Sequence, residues 1–377
     1  MSAESSPNMF LQNNFAPWGT EGAARDLPVV GRIPRELNGT YYRNGPNPAF
    51  PPLGRYHWFD GDGMIHAVTL DDGRASYRNR YVLSRGLREE QEAGRALYRG
   101  LLEFQATEIP GFKNTGNTNI VWHAGKLLAL VEAALPTRMM AGPLDTVGEY
   151  DFDGRLAGPM TAHPKLDPET GEMLFFGYSP FPPYLTYHVA AADGALVRSE
   201  VIDVARYGRL DFMSAAAVEE PGYRDANAAR LHRWRIDLAR GGVASTPLDD
   251  IVTEFPRVDE RRLGRRHRFG YMAAREPELN DGGQPLWTAV RKYDLARGAV
   301  TERRFGAGNG VGEPLFVPRS SAAAEDDGWV LVLVYDAARD TSDFCILDAQ
   351  DIGREPVARV RLPHRVPYGF HGNWVPA

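Results

Sequence analysis

The chain has 377 residues, 39 of them glycine and 28 proline, and its formal net charge of −6 argues against a nucleic-acid-binding surface. A single cysteine, Cys345, excludes an internal disulfide and a thiolate metal cluster, which fits a reducing cytoplasm. The start Met1-Ser2-Ala3-Glu4-Ser5-Ser6 has neither a basic region nor an apolar one, and no uncharged apolar run approaches the ~18 residues of a membrane helix, so neither secretion nor membrane spanning is expected.

Glycine and proline are spread along the chain, so they read as turns between many short strands. Val68-Thr69-Leu70-Asp71-Asp72-Gly73 is the first hairpin signal: an apolar strand end runs into residue types that accept the left-handed backbone of a tight turn. Leu87 to Tyr98 is rich in helix formers with a charged face and predicts a cap or surface helix. Leu127 to Glu132 is apolar enough for a buried strand. The hairpin word returns at Tyr150-Asp151-Phe152-Asp153-Gly154, Val189 to Gly194, Ile236 to Gly241 and Tyr293 to Gly298, and Trp329 to Tyr335 reads as a second buried strand. The leading aspartates Asp71, Asp151, Asp193, Asp237 and Asp294 lie 80, 42, 44 and 57 residues apart. A propeller blade uses about 40 to 45 residues, so the spacing predicts an all-β propeller, with unrelated hairpins of a sandwich as the alternative. No linker divides the chain, and one domain over residues 1–377 is expected.

Several tempting motifs read as ordinary structure. Asp60-Gly61-Asp62-Gly63 lacks the glycine that a calcium loop needs at its sixth position and reads as a tight turn. Gly306 to Gly312 has the wrong spacing for a dinucleotide loop, and Ser179 lacks the closing glycine of a nucleophile elbow. The arginines from Arg257 to Arg268 are interleaved with Asp259 and Glu260 and read as a solvated face. Phe112, Phe175, Phe176, Tyr184, Phe370 and Trp374 are candidates for an apolar tunnel, with ordinary core packing the commoner fate of each.

Two histidines stand apart. His371 sits between glycines and aromatics in Pro367-Tyr368-Gly369-Phe370-His371-Gly372-Asn373-Trp374, and His163 precedes a proline and a turn in Thr161-Ala162-His163-Pro164-Lys165. They suggest a metal clasped by distant strand ends. Around them run Tyr42-Arg43-Asn44-Gly45-Pro46-Asn47-Pro48, Tyr56 to His66 with its Trp58-Phe59-Asp60-Gly61-Asp62-Gly63 centre, Asn117-Thr118-Asn119-Ile120-Val121-Trp122-His123, Glu254-Phe255-Pro256-Arg257, Phe316-Val317-Pro318-Arg319 and Glu325-Asp326-Asp327-Gly328-Trp329. In this order the chain resembles the carotenoid cleavage oxygenases. The resemblance implies a seven-bladed propeller holding Fe(II) with four histidines, of which His163 matches the first and His371 the fourth. It also implies three glutamates that accept the other ring N–H of a ligand: Glu132, Glu254 and Glu325, with Glu325 serving His371 and the other two serving the second and third histidines. Thr118 matches a neighbour of the open iron position.

The second and third histidine words are absent. After Ser199-Glu200-Val201-Ile202-Asp203-Val204 the text continues as the family does beyond its third ligand, so about a hundred residues, or two blades at roughly 40 to 45 each, are missing at a join near residues 201–206. His188 reads as a surface cross-strand residue, His232 and His267 are flanked by arginines, and His364 lies too near His371 to come from another blade. Glu132 or Glu254, freed of its histidine, is the one candidate for a replacement carboxylate ligand. The resemblance implies oxidative cleavage of a conjugated C=C bond of a carotenoid or apocarotenoid by dioxygen, giving two carbonyl products; an inactive remnant or binding module is the alternative. Val131, where stilbene-cleaving relatives carry lysine, points to a polyene. The expected partners are thus an apolar polyene and dioxygen, without nucleic acid, with peripheral membrane contact and oligomeric state left open.

Overall fold

The computed structural model describes residues 8–101, 103, 113–132, 134–179, 183–201, 229–237, 242–275 and 287–377. The chain is all-β, and its strands form five antiparallel sheets in a propeller-like arrangement, as the hairpin spacing predicts. The first sheet runs Gly22–Ala24, Arg74–Tyr81, Gly63–Asp71, Gly39–Pro46 and Gly372–Pro376 in spatial order. The second is Asn119–His123, Lys126–Leu130, Thr137–Met139 and Thr146–Glu149, and the third is Lys165–Leu166, Met173–Tyr178, Leu185–Ala190 and Leu196–Val201. The fourth is Arg230–Asp237, Gly242–Arg257, Phe269–Ala274, Ala289–Asp294 and Ala299–Arg304. Asn309–Val311, Gly328–Asp336, Thr341–Asp348, Ala358–Arg361 and Val29–Gly31 make the fifth, with Leu315–Pro318 also paired to Gly328–Asp336.

Turn chemistry sets the hairpins. Asp72 and Gly73 both take positive φ, 44° and 77°, which matches the twist of the strands they join and pairs Asp71 with Arg74. Val189 to Gly194 and Tyr293 to Gly298 likewise join paired strands, and the tip of the Ile236 to Gly241 word lies outside the described residues. Tyr150 to Gly154 does something else: it turns the chain from the second sheet toward the third, and Phe152 is buried between them. The expected helix is present as Arg85–Ala93, capped by Ser84 Oγ at one end and by left-handed Gly94 at the other.

The ends of the chain interlock. Gly372–Pro376 pairs with Gly39–Pro46 in the first sheet, while Val29–Gly31 pairs with Ala358–Arg361 in the last. His371 is therefore held near the terminus by ladder bonds and does not fray.

Four apolar cores join neighbouring sheets. Ile65 and Ala67 of the first meet Ile120 and Leu127 of the second; Leu128 and Leu130 of the second meet Met173 and Phe175 of the third. Tyr271 and Val290 of the fourth meet Val330 and Val332 of the fifth, and Leu331 and Phe344 of the fifth meet Tyr41 and Val68 of the first. Among the described residues no such core joins the third sheet to the fourth. An ion pair of Arg265 with Glu169 is what reaches across. The chain between those two sheets, 202–228, contains most of the proposed join and lies outside the described residues.

Candidate metal and substrate site

His371 is fixed from three sides. Its backbone N–H donates to the Thr118 carbonyl at 3.2 Å and its own carbonyl accepts from Asn44 N–H at 3.0 Å. Its Nδ1 lies 2.9 Å from Glu313 Oε1, while the Gly372 N–H donates to Glu313 Oε2 at 2.8 Å. A carboxylate at Nδ1 fixes that nitrogen as the donor and leaves Nε2 with its lone pair. Burial alone would raise the Glu313 carboxyl, but Arg257, His371 and the Gly372 N–H outweigh it and hold it below the usual range.

His163 follows the third sheet's entry loop, and its ring stands perpendicular to that of His371 with centroids 4.8 Å apart. Its Nε2 lies 3.2 Å from Glu132 Oε1, which also accepts from Thr161 Oγ1. Burial, then the neighbouring His371, lowers the His163 pKa to about 4, so the ring is neutral near pH 7. Burial raises the Glu132 carboxyl, and its Oε2 is enclosed without a hydrogen-bond partner among the described residues.

Glu254 stands at a bulge between Gly242–Arg257 and Phe269–Ala274, where its Oε2 accepts from the Phe255 N–H at 3.3 Å. Phe255 has φ 56°, a conformation unfavourable for a bulky residue, and its ring edge packs on His371 with centroids 5.5 Å apart. Thr118 Oγ1 donates to Asn117 Oδ1 at 2.9 Å.

These residues close one end of a cavity of about 1130 Å³. Tyr56, Trp58, Phe59, Trp287 and Phe370 supply much of its wall, and His163, His371, Glu132, Glu254 and Thr118 all line it. The cap helix reaches its rim through Glu90, which with Asp62 clasps the partly buried Lys113 at 2.5 Å from each carboxylate.

Several sequence expectations change. Glu325 does not serve His371: its Oε1 accepts the backbone N–H groups of Arg268 and Phe269 at 2.6 and 2.8 Å, and it faces a different cavity. Glu313 takes that place, because the strand Leu315–Pro318 runs beside Gly372–Pro376 and brings Glu313, two residues before it, to the ring. Sequence reasoning passed over Glu313; the one local signal was an acid after a glycine-rich loop and before an apolar strand. Glu132, expected beside a second histidine, sits on His163 instead, since no second histidine is present to draw it away. His188 is buried and stacked on Phe175 at 4.9 Å rather than lying on the surface. Of the tunnel candidates Phe370 lines the cavity, Phe175 is core, Phe176 and Tyr184 are exposed, Trp374 packs beside the first core, and Phe112 lies outside the described residues.

Among the described residues no three histidine, cysteine, aspartate or glutamate side chains converge to hold a metal ion. Two imidazoles, one with Nε2 already on a carboxylate, do not fit the four-histidine iron site that the resemblance implies, and no carboxylate completes a replacement set.

A family model described as retinal pigment epithelial membrane protein matches the chain in two stretches, residues 15–210 and 197–376. The overlap of the two falls at the join between the third and fourth sheets. The chain is 32% identical to the carotenoid 9,10(9',10')-cleavage dioxygenase 1 of Arabidopsis thaliana over 497 positions, covering all of this chain and 91% of that protein. The difference between 497 aligned positions and 377 residues, 120 positions, agrees with an internal deletion. It is also 32% identical to the carotenoid cleavage oxygenase of Mycobacterium tuberculosis, covering 99% of each chain. Among solved structures, the lignostilbene dioxygenase of Pseudomonas brassicacearum superposes with a TM-score of 0.89 at 28% identity, over 98% of each chain. The cobalt-substituted Synechocystis enzyme ACO gives 0.84 at 29% identity, over 96% of this chain and 97% of that one. The chain belongs to the carotenoid cleavage oxygenase family, a family of dioxygenase enzymes, and is shorter than the relatives it aligns with.

Proposed function

We propose that this chain binds a carotenoid or apocarotenoid in the cavity described above, with one conjugated double bond lying against His163 and His371. The observation that carries the reading is the cavity itself: aromatic faces share its wall with two facing imidazoles. Such a wall suits a rigid apolar polyene, which loses little conformational freedom on binding and gains burial of its whole surface. In the relatives the named activity is cleavage, and Fe(II) with dioxygen supplies that chemistry in the family, turning one C=C bond into two carbonyl groups. Here Glu313 and Glu132 orient the rings, and Phe255, backed by Trp287, packs on His371. Because the described donors do not fit iron, binding without turnover is the function we assign.

Cleavage by this chain is the second reading, favoured by His371, whose Nε2 keeps its lone pair beside the cavity. One experiment separates the two. Protein loaded with Fe(II) under argon, desalted, then given oxygen and an apocarotenal should retain far less than one iron per chain, quench the polyene's fluorescence or shift its absorption, and release no new aldehyde by mass spectrometry. Stoichiometric iron with aldehyde products would establish the cleavage reading, and an unperturbed polyene spectrum would sink both.

A further inference from the structure

A second cavity, of about 730 Å³, lies on the fourth sheet and shares no lining residue with the first. It is built on the arginine-rich stretch between Gly242–Arg257 and Phe269–Ala274. The acids that would neutralise that stretch are already taken: buried Asp259 is clasped by Arg261 and Glu260 by Arg257. Arg265, Arg266, His267 and Arg268 line the cavity, and His232 and Arg233 join them from the edge strand Arg230–Asp237. One carboxylate lines it, Glu325, and two backbone N–H groups occupy its Oε1. Arg268 is paired with Asp294, whereas Arg233 and Arg266 have no carboxylate partner among the described residues. The rest of the lining includes Arg257, which is paired with Glu260, and the rings of Tyr271 and Tyr293, beside apolar Leu231, Leu248, Val258, Met272 and Leu295.

We propose that this cavity binds an amphipathic small molecule: an unbranched apolar tail carrying one carboxylate or phosphate head. Guanidinium groups are the side chains best shaped for such a head, because their fixed fork matches two oxygens at once. The protein itself illustrates the preference, since Arg265 holds the Glu169 carboxylate brought over from the third sheet. The apolar lining would be poorly used by an inorganic ion, and the concavity, within the range of small-molecule pockets, favours a tail over a flat protein surface. Arg233 and Arg266 are exposed and set a charged rim around a partly apolar floor, so a head group can pair at the rim while a tail lies against the floor.

Titration calorimetry on the intact chain tests this with monomeric dodecanoate, alongside dodecanol, acetate, inorganic phosphate and phosphatidylglycerol vesicles. Dodecanoate should bind one per chain, and about tenfold more tightly than dodecanol or either small anion, because head and tail act together. Arg233→Glu with Arg266→Glu, both exposed, should weaken dodecanoate by at least about tenfold while leaving the unfolding midpoint in place, and salt raised from about 0.05 to 0.5 M should weaken the unsubstituted chain. Absence of dodecanoate binding overturns the proposal. So does binding that the double substitution leaves unchanged, which would place the ligand in the polyene cavity. Binding to vesicles without binding to monomeric dodecanoate overturns it in favour of a membrane contact.

Discussion

The strands Gly328–Asp336 and Met173–Tyr178 are both central and apolar, yet they live in different surroundings. In the first, Trp329, Leu331 and Leu333 face the first sheet while Val330, Val332 and Val334 face the fourth, so both sides are buried. In the second, Met173 and Phe175 pack on the second sheet, whereas Phe176 and Tyr178 on the other side are 40% and 41% exposed. Successive side chains of a strand point to opposite faces, so a blade between two neighbours reads as a continuous apolar run and a blade with one neighbour alternates in its burial. Among the described residues no apolar core covers that second side of the third sheet.

The sharpest break in this comparison is between adjacent residues. Phe175→Ala should cost about 3 to 5 kcal/mol, a fully buried ring lost from a core with little room to collapse, as measured by urea unfolding. Leu331→Ala, in the two-sided strand, should cost about 2 to 5 kcal/mol in the same assay. At the end of the fourth-sheet strand Ala289–Asp294 the contributions are polar and depend on pH. The hydrogen bond from Arg268, set against a smaller burial effect, lowers the Asp294 carboxyl from 3.8 to about 2. A depressed folded pKa means stability that is complete above pH 3.8 and lost as the pH falls toward 2, so Asp294→Asn should flatten the slope of stability over that window. Smallest of all, Phe176→Ala should change stability by no more than about 0.5 kcal/mol. A loss as large as that of Phe175→Ala would mean that something covers the third sheet in solution, and the comparison would fail.

Much of the architecture was legible in the sequence because it is local. Asp72-Gly73 demands a tight turn wherever it sits, Ser84 and Gly94 cap a helix from within one turn, and the run Trp329 to Tyr335 is apolar on both strand faces. The word at Tyr150 to Gly154 has the same composition as the hairpin words but serves as a corner, since the next strand, Lys165–Leu166, belongs to a different sheet. At the site, the words around His163 and His371 marked them as a pair, and the structure brings their rings together across 208 positions of sequence. Which glutamate meets which ring was less legible. Glu325 stands in a stronger sequence word than Glu313, but words record neighbours along the chain and not across sheets.

By itself the sequence determined the all-β class, the propeller-like spacing of its hairpins and the identity of the two histidines that face each other. These follow from turn chemistry, strand period and residue type, which act over a few positions. The tertiary structure decided that Glu313 orients His371, that Glu132 turns onto His163, and that one face of the third sheet carries exposed Phe176 and Tyr178. It also gathered exposed arginines around a partly apolar cavity. Each of these depends on which strands lie side by side, and that is settled by burial summed over the whole chain.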